Sequence, residues 1–262
     1  MPDSLSYRAR KSHYSKMLTI YGRKPTLEAL RDDRLNCRAL HLADSNRQSD
    51  IIEEIQRLAQ QRGILIKRHS KAELSRISKN GKQDQGVALD IDCPQFTTLD
   101  EYLECLADQN RQRLLALDGI TNPANLGMIV RAATAGEIDG ILWSNKGNAA
   151  LGPLVLKASA GTLYRAPIII CDQLSSALSR LQEQGVRLLA LAARGSVSLF
   201  DYAQDGHSVF ILGNESEGIS QPIARLTDLS LSIPMRNNVE SLNVAVTASL
   251  IAYASLLQGR ER

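Results

Sequence analysis

The stretch RLLALDGITNPANLGMIVR, residues 113–131, decides the fold. Its first five residues are of strand length, Arg113 followed by the apolar Leu114 to Leu117, Asp118-Gly119 is a turn, and Leu126, Ile129 and Val130 then recur at helical spacing. A strand without polar alternation is buried on both faces, and a helix directly behind it points to a crossover onto a parallel neighbour. Toward the C-terminus the same grammar repeats. The pattern predicts helices over 126–135, 154–160, 174–184, around 222–225 and over 242–257, with strands over 140–143, 166–170, 186–191, 208–212 and 228–233. This is an α/β domain with a mostly parallel sheet, whose functional loops lie at the carboxyl ends of the strands.

Toward the N-terminus, residues 93–110 read as a connector with one helix over 98–107, opened by the capping sequence Thr98-Leu99-Asp100-Glu101. Residues 18–92 alternate helix and strand again. Helices are expected over 26–30, 50–62 and 71–77, strands over 39–42, 64–66 (as a buried strand) and 86–91, with Gly63 ending the second helix and Lys79-Asn80-Gly81-Lys82 forming a turn. Residues 1–17 carry Arg8, Arg10, Lys11 and Lys16 without apolar periodicity and read as a basic tail. The expected organisation is a tail (1–17), a small α/β domain (18–92), a linker (93–110) and a larger α/β domain (111–262).

The 262 residues carry a net charge of only +3, but it is unevenly spread: residues 1–92 hold 18 Lys and Arg against 12 Asp and Glu. A polyanion would meet the N-terminal part first. Aromatic residues make up 4%, too few for binding that rests on base stacking. The four cysteines, Cys37, Cys93, Cys105 and Cys171, form no Cys-x-x-Cys pair, and His13, His41, His69 and His207 are isolated, so no metal site is expected. The first residues hold no apolar segment of leader length, and the longest apolar stretch, 244–257, is too short and too interrupted to span a bilayer; a cytoplasmic protein is expected. Neither a phosphate loop, nor Gly-x-Gly-x-x-Gly behind a strand, nor a Gly-x-Ser-x-Gly elbow occurs.

Three polar loops remain. The first, Asp118 to Arg131, offers Asn125 as a cap for the following helix and Arg131 two turns further on, on the face that Gly127 leaves open, where a guanidinium can fork a phosphate. The second, Gly213-Asn214-Glu215-Ser216-Glu217-Gly218, places a carboxylate behind a buried strand, with Gly213 allowing a ligand close to the backbone. The third runs Ile233-Pro234-Met235-Arg236-Asn237-Asn238-Val239-Glu240-Ser241-Leu242-Asn243. There Ser241 is the expected cap of the last helix and Asn243 lies in its first turn. Each loop alone also fits a turn with an ordinary helix cap.

In combination, Asn-Pro-x-Asn-x-Gly with Arg131 following, then Gly-Asn-Glu-x-x-Gly, then Ile-Pro-Met and Ser-Leu-Asn-Val, closely resemble the SpoU (TrmH) family of RNA ribose 2′-O-methyltransferases over residues 113–257. Tyr21-Gly22, Glu28-Ala29-Leu30 and Gln85-Gly86-Val87 are similar to that family's small RNA-binding domain. The resemblance implies a C-terminal trefoil knot, S-adenosylmethionine as cofactor, and a homodimer with sites near the subunit interface. It further implies transfer of a methyl group to a ribose 2′-hydroxyl of structured RNA, rRNA in preference to tRNA. By position, Gly213, Ile233 and Leu242 match the family's cofactor contacts; Arg131, Asn125, Glu215, Ser241 and Asn243 match its catalytic and substrate-positioning set.

Two positions depart from the family pattern. Asn237 stands where glycine is usual, which asparagine tolerates best if the backbone is left-handed; it leaves open the alternative of an RNA-binding or ribosome-assembly factor with weak or no turnover. Asp84 replaces a histidine common ahead of Gln-Gly-Val and bears on the RNA domain.

Overall fold

The computed structural model describes residues 16–258; all but the last two residues of the expected basic tail lie outside them. The chain divides near Pro94 and Gln95 into two compact units.

The smaller unit runs β1 (Met17–Tyr21), α1 (Arg23–Arg31), β2 (Cys37–Ala43), α2 (Asp50–Gln61), β3 (Leu65–His69), α3 (Lys71–Ser78) and β4 (Val87–Asp92). The sheet order is β1-β4-β2-β3, with β4 antiparallel to β1 and β2, and β3 parallel to β2. α2 buries Ile52, Ile55 and Ala59, one apolar stripe at helical spacing. α3 opens with a reciprocal capping box between Ser70 and Glu73. The expected buried strand over 64–66 is instead an edge strand: Ile64 is buried just ahead of it, whereas Leu65 is 58% exposed. Apolar runs this short do not say which side of a sheet lies open. Asp84 is a strut. Its Oδ2 accepts from the Ser78 hydroxyl and its Oδ1 from the Gly86 amide.

Two of the histidines that look isolated in sequence, His41 and His69, meet across this sheet. Thr19 donates to Asp90 Oδ1 at 2.6 Å, His41 Nε2 donates to Asp90 Oδ2 at 2.9 Å, and His41 Nδ1 lies 2.9 Å from His69 Nε2. Burial works to raise the Asp90 carboxyl, but the hydrogen bonds from His41 and Thr19, with the charges of His41 and Lys67, outweigh it and hold the group below its ordinary value. A depressed carboxyl stabilises the fold above its unfolded pKa, about 3.9, and that contribution is lost as pH falls through the lower folded value. Urea denaturation at about pH 5 and about pH 3 is therefore expected to show a loss of stability that Asp90→Asn reduces. An unchanged pH dependence in the variant would remove Asp90 as its source. Among the described residues, no group of His, Cys, Asp and Glu is arranged to hold a metal.

The larger unit contains β5 (Thr97–Thr98), α4 (Leu99–Leu106), β6 (Arg113–Leu117), α5 (Pro123–Ala135), β7 (Gly140–Ser144), α6 (Pro153–Ala158), β8 (Ile168–Cys171), α7 (Leu174–Glu183), β9 (Arg187–Leu191), β10 (Val197–Ser198), β11 (Ser208–Leu212), α8 (Gln221–Ala224), β12 (Leu229–Ser232) and α9 (Val244–Gln258). Its sheet, ordered β10-β12-β9-β11-β6-β7-β8-β5, is parallel at every pairing. β5 and α4 come from the segment read as a linker. Thr97 and Thr98 pair with β8, and Leu99, Tyr102 and Leu106 pack into the core beneath it. The Thr98–Glu101 capping box forms as its sequence requires. The chain builds β6, β7 and β8 to one side and places β9 on the far side of β11. The loops behind β6 and β11 therefore leave a topological switch point, where ligands of open α/β sheets bind.

Two contacts bring the last helix back onto the first strand–helix pair. Arg113, buried with its guanidinium 4.8 Å from the centre of the Phe210 ring, donates from Nη2 to the Ile251 carbonyl at 2.8 Å. The Glu137 amide donates to Ala252 O at 2.8 Å. Among the described residues no helix is long and apolar enough to cross a membrane.

Candidate active site

The first loop is built differently from its sequence expectation. Asn122, not Asn125, caps α5: its side chain accepts from the Ala124 amide at 2.8 Å, and Pro123 occupies the first helical turn, where a missing N–H costs nothing. The helix thus starts three residues early, and Asn125 falls inside it with its side chain buried and free for another task. The face at Gly127 is not open either. A Cβ there would lie 2.5 Å from Ala158 Cβ and 2.7 Å from Val155 O, so the glycine lets α6 pack against α5.

The second loop folds back on itself through paired hydrogen bonds, Asn214 N to Gly218 O at 2.9 Å and Gly218 N to Asn214 O at 2.8 Å. Gly213 is required by this fold-back, since a Cβ would stand 2.2 Å from Gly218 C and 2.4 Å from Ile219 N. The missing side chain thus lets the loop's own backbone close on itself. Three hydrogen bonds then sew loop two to loop one: Asp118 N to Leu212 O at 2.9 Å, Asn214 Nδ2 to Gly119 O at 2.7 Å, and Ser220 N to Asp118 Oδ2 at 2.7 Å. Sequence reasoning passed over Asp118 and Asn214 as positioning residues. The available signal was a short polar side chain directly behind each of two adjacent buried strands.

The third loop makes a tight turn, closed by Val239 N to Arg236 O at 3.2 Å, in which Asn237 and Asn238 take φ of 56° and 57°. Asn237 thus adopts the left-handed backbone for which glycine is usual, and the departure from the family pattern carries no distortion of the turn. The cap of α9 is again shifted. The helix begins at Val244, and Asn243 Oδ1 accepts from the Ala245 amide at 2.8 Å; Ser241 lies exposed two residues ahead of the capping position.

These shifts bring three of the expected side chains into one hydrogen-bonded chain. Asn125 Nδ2 donates to Glu215 Oε1, and Asn243 Nδ2 donates to Asn125 Oδ1 at 3.2 Å. Asn125 uses both ends of its amide, Asn243 uses one end as a helix cap and the other as a strut, and Glu215 remains exposed. Ser241 is exposed two residues ahead of Asn243, and neither it nor Arg131 is part of this chain. Six residues along a helix place Arg131 about 120° around and ~9 Å along the axis from Asn125. It lies exposed, as does Met128 one turn before it.

Of the residues matched to cofactor contacts, Gly213 follows β11 and Ile233 follows β12, the two strands that flank β9, and Leu242 lies ahead of α9. Ile233, Met235 and Leu242 are half-buried. Gly195, unremarked in the sequence, abuts the end of β12, where a Cβ would lie 2.3 Å from Leu231 C. The loops behind β11 and β12 thus carry half-buried apolar side chains among backbone at the ends of their strands.

Known proteins share this construction. A model of the SpoU rRNA Methylase family matches residues 112–253, and one for RNA 2'-O ribose methyltransferase substrate binding matches residues 19–97. A Mycobacterium bovis protein named as an uncharacterized tRNA/rRNA methyltransferase is 32% identical over 242 residues, covering 92% of this chain and 74% of its own length. A Mycobacterium avium protein of the same name is 32% identical over 233 residues, covering 89% and 75%. In fold, the chain is similar to the SpoU methyltransferase AviRb from Streptomyces viridochromogenes in complex with AdoMet, with a TM-score of 0.63 at 20% identity, covering 95% of this chain and 93% of that one. It is also similar to an AdoMet-bound rRNA methyltransferase from Sinorhizobium meliloti, with a TM-score of 0.62 at 21% identity, covering 94% and 89%. The chain belongs to the SpoU rRNA methylase family and is an RNA methyltransferase with a substrate-binding unit ahead of its methylase unit.

Proposed function

We propose that this protein methylates a ribose 2′-hydroxyl of structured RNA, rRNA rather than tRNA, with S-adenosylmethionine as donor. The observation that carries the reading is the chain Glu215–Asn125–Asn243, which joins three loops distant in sequence at the carboxyl ends of the sheet. S-adenosylmethionine supplies an electrophilic methyl group on a sulfonium. Gly213, Ile233 and Leu242 would hold it, largely through backbone groups. The carboxylate of Glu215 is acceptor-only, with one oxygen fixed by Asn125, so its second oxygen can accept from a ribose hydroxyl. Asn243, and Ser241 exposed two residues ahead of it, orient the sugar. The guanidinium of Arg131 is a planar fork of donors that matches phosphate geometry, so its task is to clamp the phosphate; the 2′-hydroxyl proton leaves to phosphate or water.

The protein works as a homodimer in this reading. α9 is apolar all round: Val244, Ala248, Ile251 and Ala252 are buried, while Val246, Tyr253 and Leu256 are exposed. A helix of that composition is normally covered on every side. Exposed Met128 extends apolar surface along α5 toward Arg131, which supports an Arg131 delivered to a partner's Asn125 chain. The return of α9 onto α5 supports the C-terminal knot. Mixing two inactive variants, Arg131→Ala and Asn125→Ala, is expected to restore about a quarter of normal activity, because half of the dimers are hybrids with one intact site. No recovery would place both residues in the same subunit's site.

Calorimetry with S-adenosylmethionine and mapping of 2′-O-methyl positions in total RNA, with and without the protein, test the reading as a whole. Binding together with one new methylated ribose in rRNA is expected. A methylated base, or a site in tRNA, would overturn the corresponding part.

A further inference from the structure

We propose that a cleft in the smaller unit seats a phosphodiester of the substrate RNA, held by the Arg23 fork, Lys71 and Lys82. The proposal rests on the RNA methyltransferase reading and deepens it, because the family match to residues 19–97 treats that unit as a block and places no contact. The carboxyl ends of β1, β2 and β3 and the amino end of β4 lie along one edge of the sheet, as the pairings Tyr21 to Ala88, Leu42 to Val87 and Ala43 to His69 require. A cavity of about 560 Å³ opens there, with Arg23, Ser45, Asn46, Lys71, Lys82 and Gln85 in its wall.

The wall is built before any ligand arrives. Asn46 Nδ2 donates to Gly86 O at 2.6 Å and the Ala43 amide donates to the same oxygen at 3.0 Å, so the segment ahead of β4 is pinned to the end of β2. Gln85 takes a left-handed φ of 52°, which brings its side-chain oxygen to the Arg23 amide at 3.1 Å and its carbonyl to Arg23 Nε at 3.3 Å. The guanidinium is thereby fixed through Nε. Its two terminal nitrogens make no hydrogen bond among the described residues, and they are the pair that grips an anion oxygen bidentately.

Charge points the same way. Lys71 and Lys82 are exposed, and no ion pair among the described residues involves them or Arg23. The wall holds one acid, Asp84, buried with its two oxygens bonded by Ser78 and Gly86, against the three cations. α1 and α3 also both begin on a cation, Arg23 and Lys71, where the helix dipole disfavours positive charge. An anion bound between them would relieve that conflict. Among the described residues no aromatic ring lines the cleft, so these residues fit backbone rather than a stacked base.

The test uses the full chain and an RNA it methylates, with affinity followed between about 0.05 and 0.2 M salt. The double variant Lys71→Gln, Lys82→Gln is expected to weaken binding at least ~10-fold at physiological salt and to flatten the log K against log salt slope by about 1, for the one phosphate the cleft neutralises. Arg23→Lys keeps the slope but loses about tenfold in affinity, because a point charge does not replace the fork. Arg57→Gln, on the exposed face of α2, should change neither, which separates a local contact from net charge. Cofactor calorimetry on each variant reports an intact methylase unit. Normal affinity and slope in the double variant, or equal flattening by Arg57→Gln, would overturn the cleft alone. Failure of the unaltered protein to bind any RNA would overturn the RNA reading with it. Binding of millimolar inorganic phosphate to the unaltered protein, lost in the double variant but without any displacement of RNA, would reassign the cleft to a free anion and also overturn the proposal.

Discussion

Asn125→Ala is expected to slow methyl transfer about 100- to 1,000-fold, on the order of 3–4 kcal/mol in the barrier, with cofactor affinity little changed. One amide holds Glu215 through its nitrogen and receives Asn243 through its oxygen. Alanine removes both struts at once, and a displacement of about 1 Å in a reacting group can cost 10²-fold. Asn125→Asp makes the contrast sharper. It sets a carboxylate against Glu215, so the variant should be poor at neutral pH and recover partly as the pH falls and one proton comes to be shared between the two acids. Single-turnover rates at saturating RNA, measured beside calorimetric cofactor affinity, check both variants. A normal rate in Asn125→Ala would remove the residue from the machinery.

Gly213→Ala is expected to abolish measurable transfer while costing only about 1–3 kcal/mol of stability. The added Cβ would stand 2.2–2.4 Å from the backbone of Gly218 and Ile219, and backbone held by the paired Asn214–Gly218 hydrogen bonds cannot step aside as a flexible side chain would. The fold-back must open. That releases Asn214 from Gly119 and moves Glu215, so the lesion reaches the site although the new methyl group touches no substrate. Gly206→Ala is the matched control, since a Cβ there meets nothing within 4 Å. Activity of Gly213→Ala within a few-fold of normal would mean that the loop tolerates the opened form.

The positions of strands and helices in the larger unit were legible because each strand is a continuous apolar run and each helix carries its own period. The Thr98–Glu101 box was equally local and formed as read. The caps of α5 and α9 were not. Asn122 and Asn125 are both good capping residues, as are Ser241 and Asn243, and the choice between them depends on where each helix packs. Pro123 was the overlooked clue for α5, because proline suits the first helical turn. β5 and β10, two residues each, have no periodicity to read and exist only by pairing with strands far along the chain. The meeting of His41, His69 and Asp90 likewise depends on register between strands.

The sequence by itself determined the alternation of elements, the polar loops behind the strands, the basic bias of the N-terminal part and the family. Those depend on local spacing and composition, which a linear string carries in full. Only the tertiary structure decided that Asn125 faces inward between Glu215 and Asn243, that Arg131 lies about 120° around its helix from them, that Gly127 and Gly213 serve backbone packing, and that the Arg23 guanidinium faces a cleft. Each of these is fixed by how elements distant in sequence approach one another, and a side chain's work depends on which face of its helix or strand that approach covers.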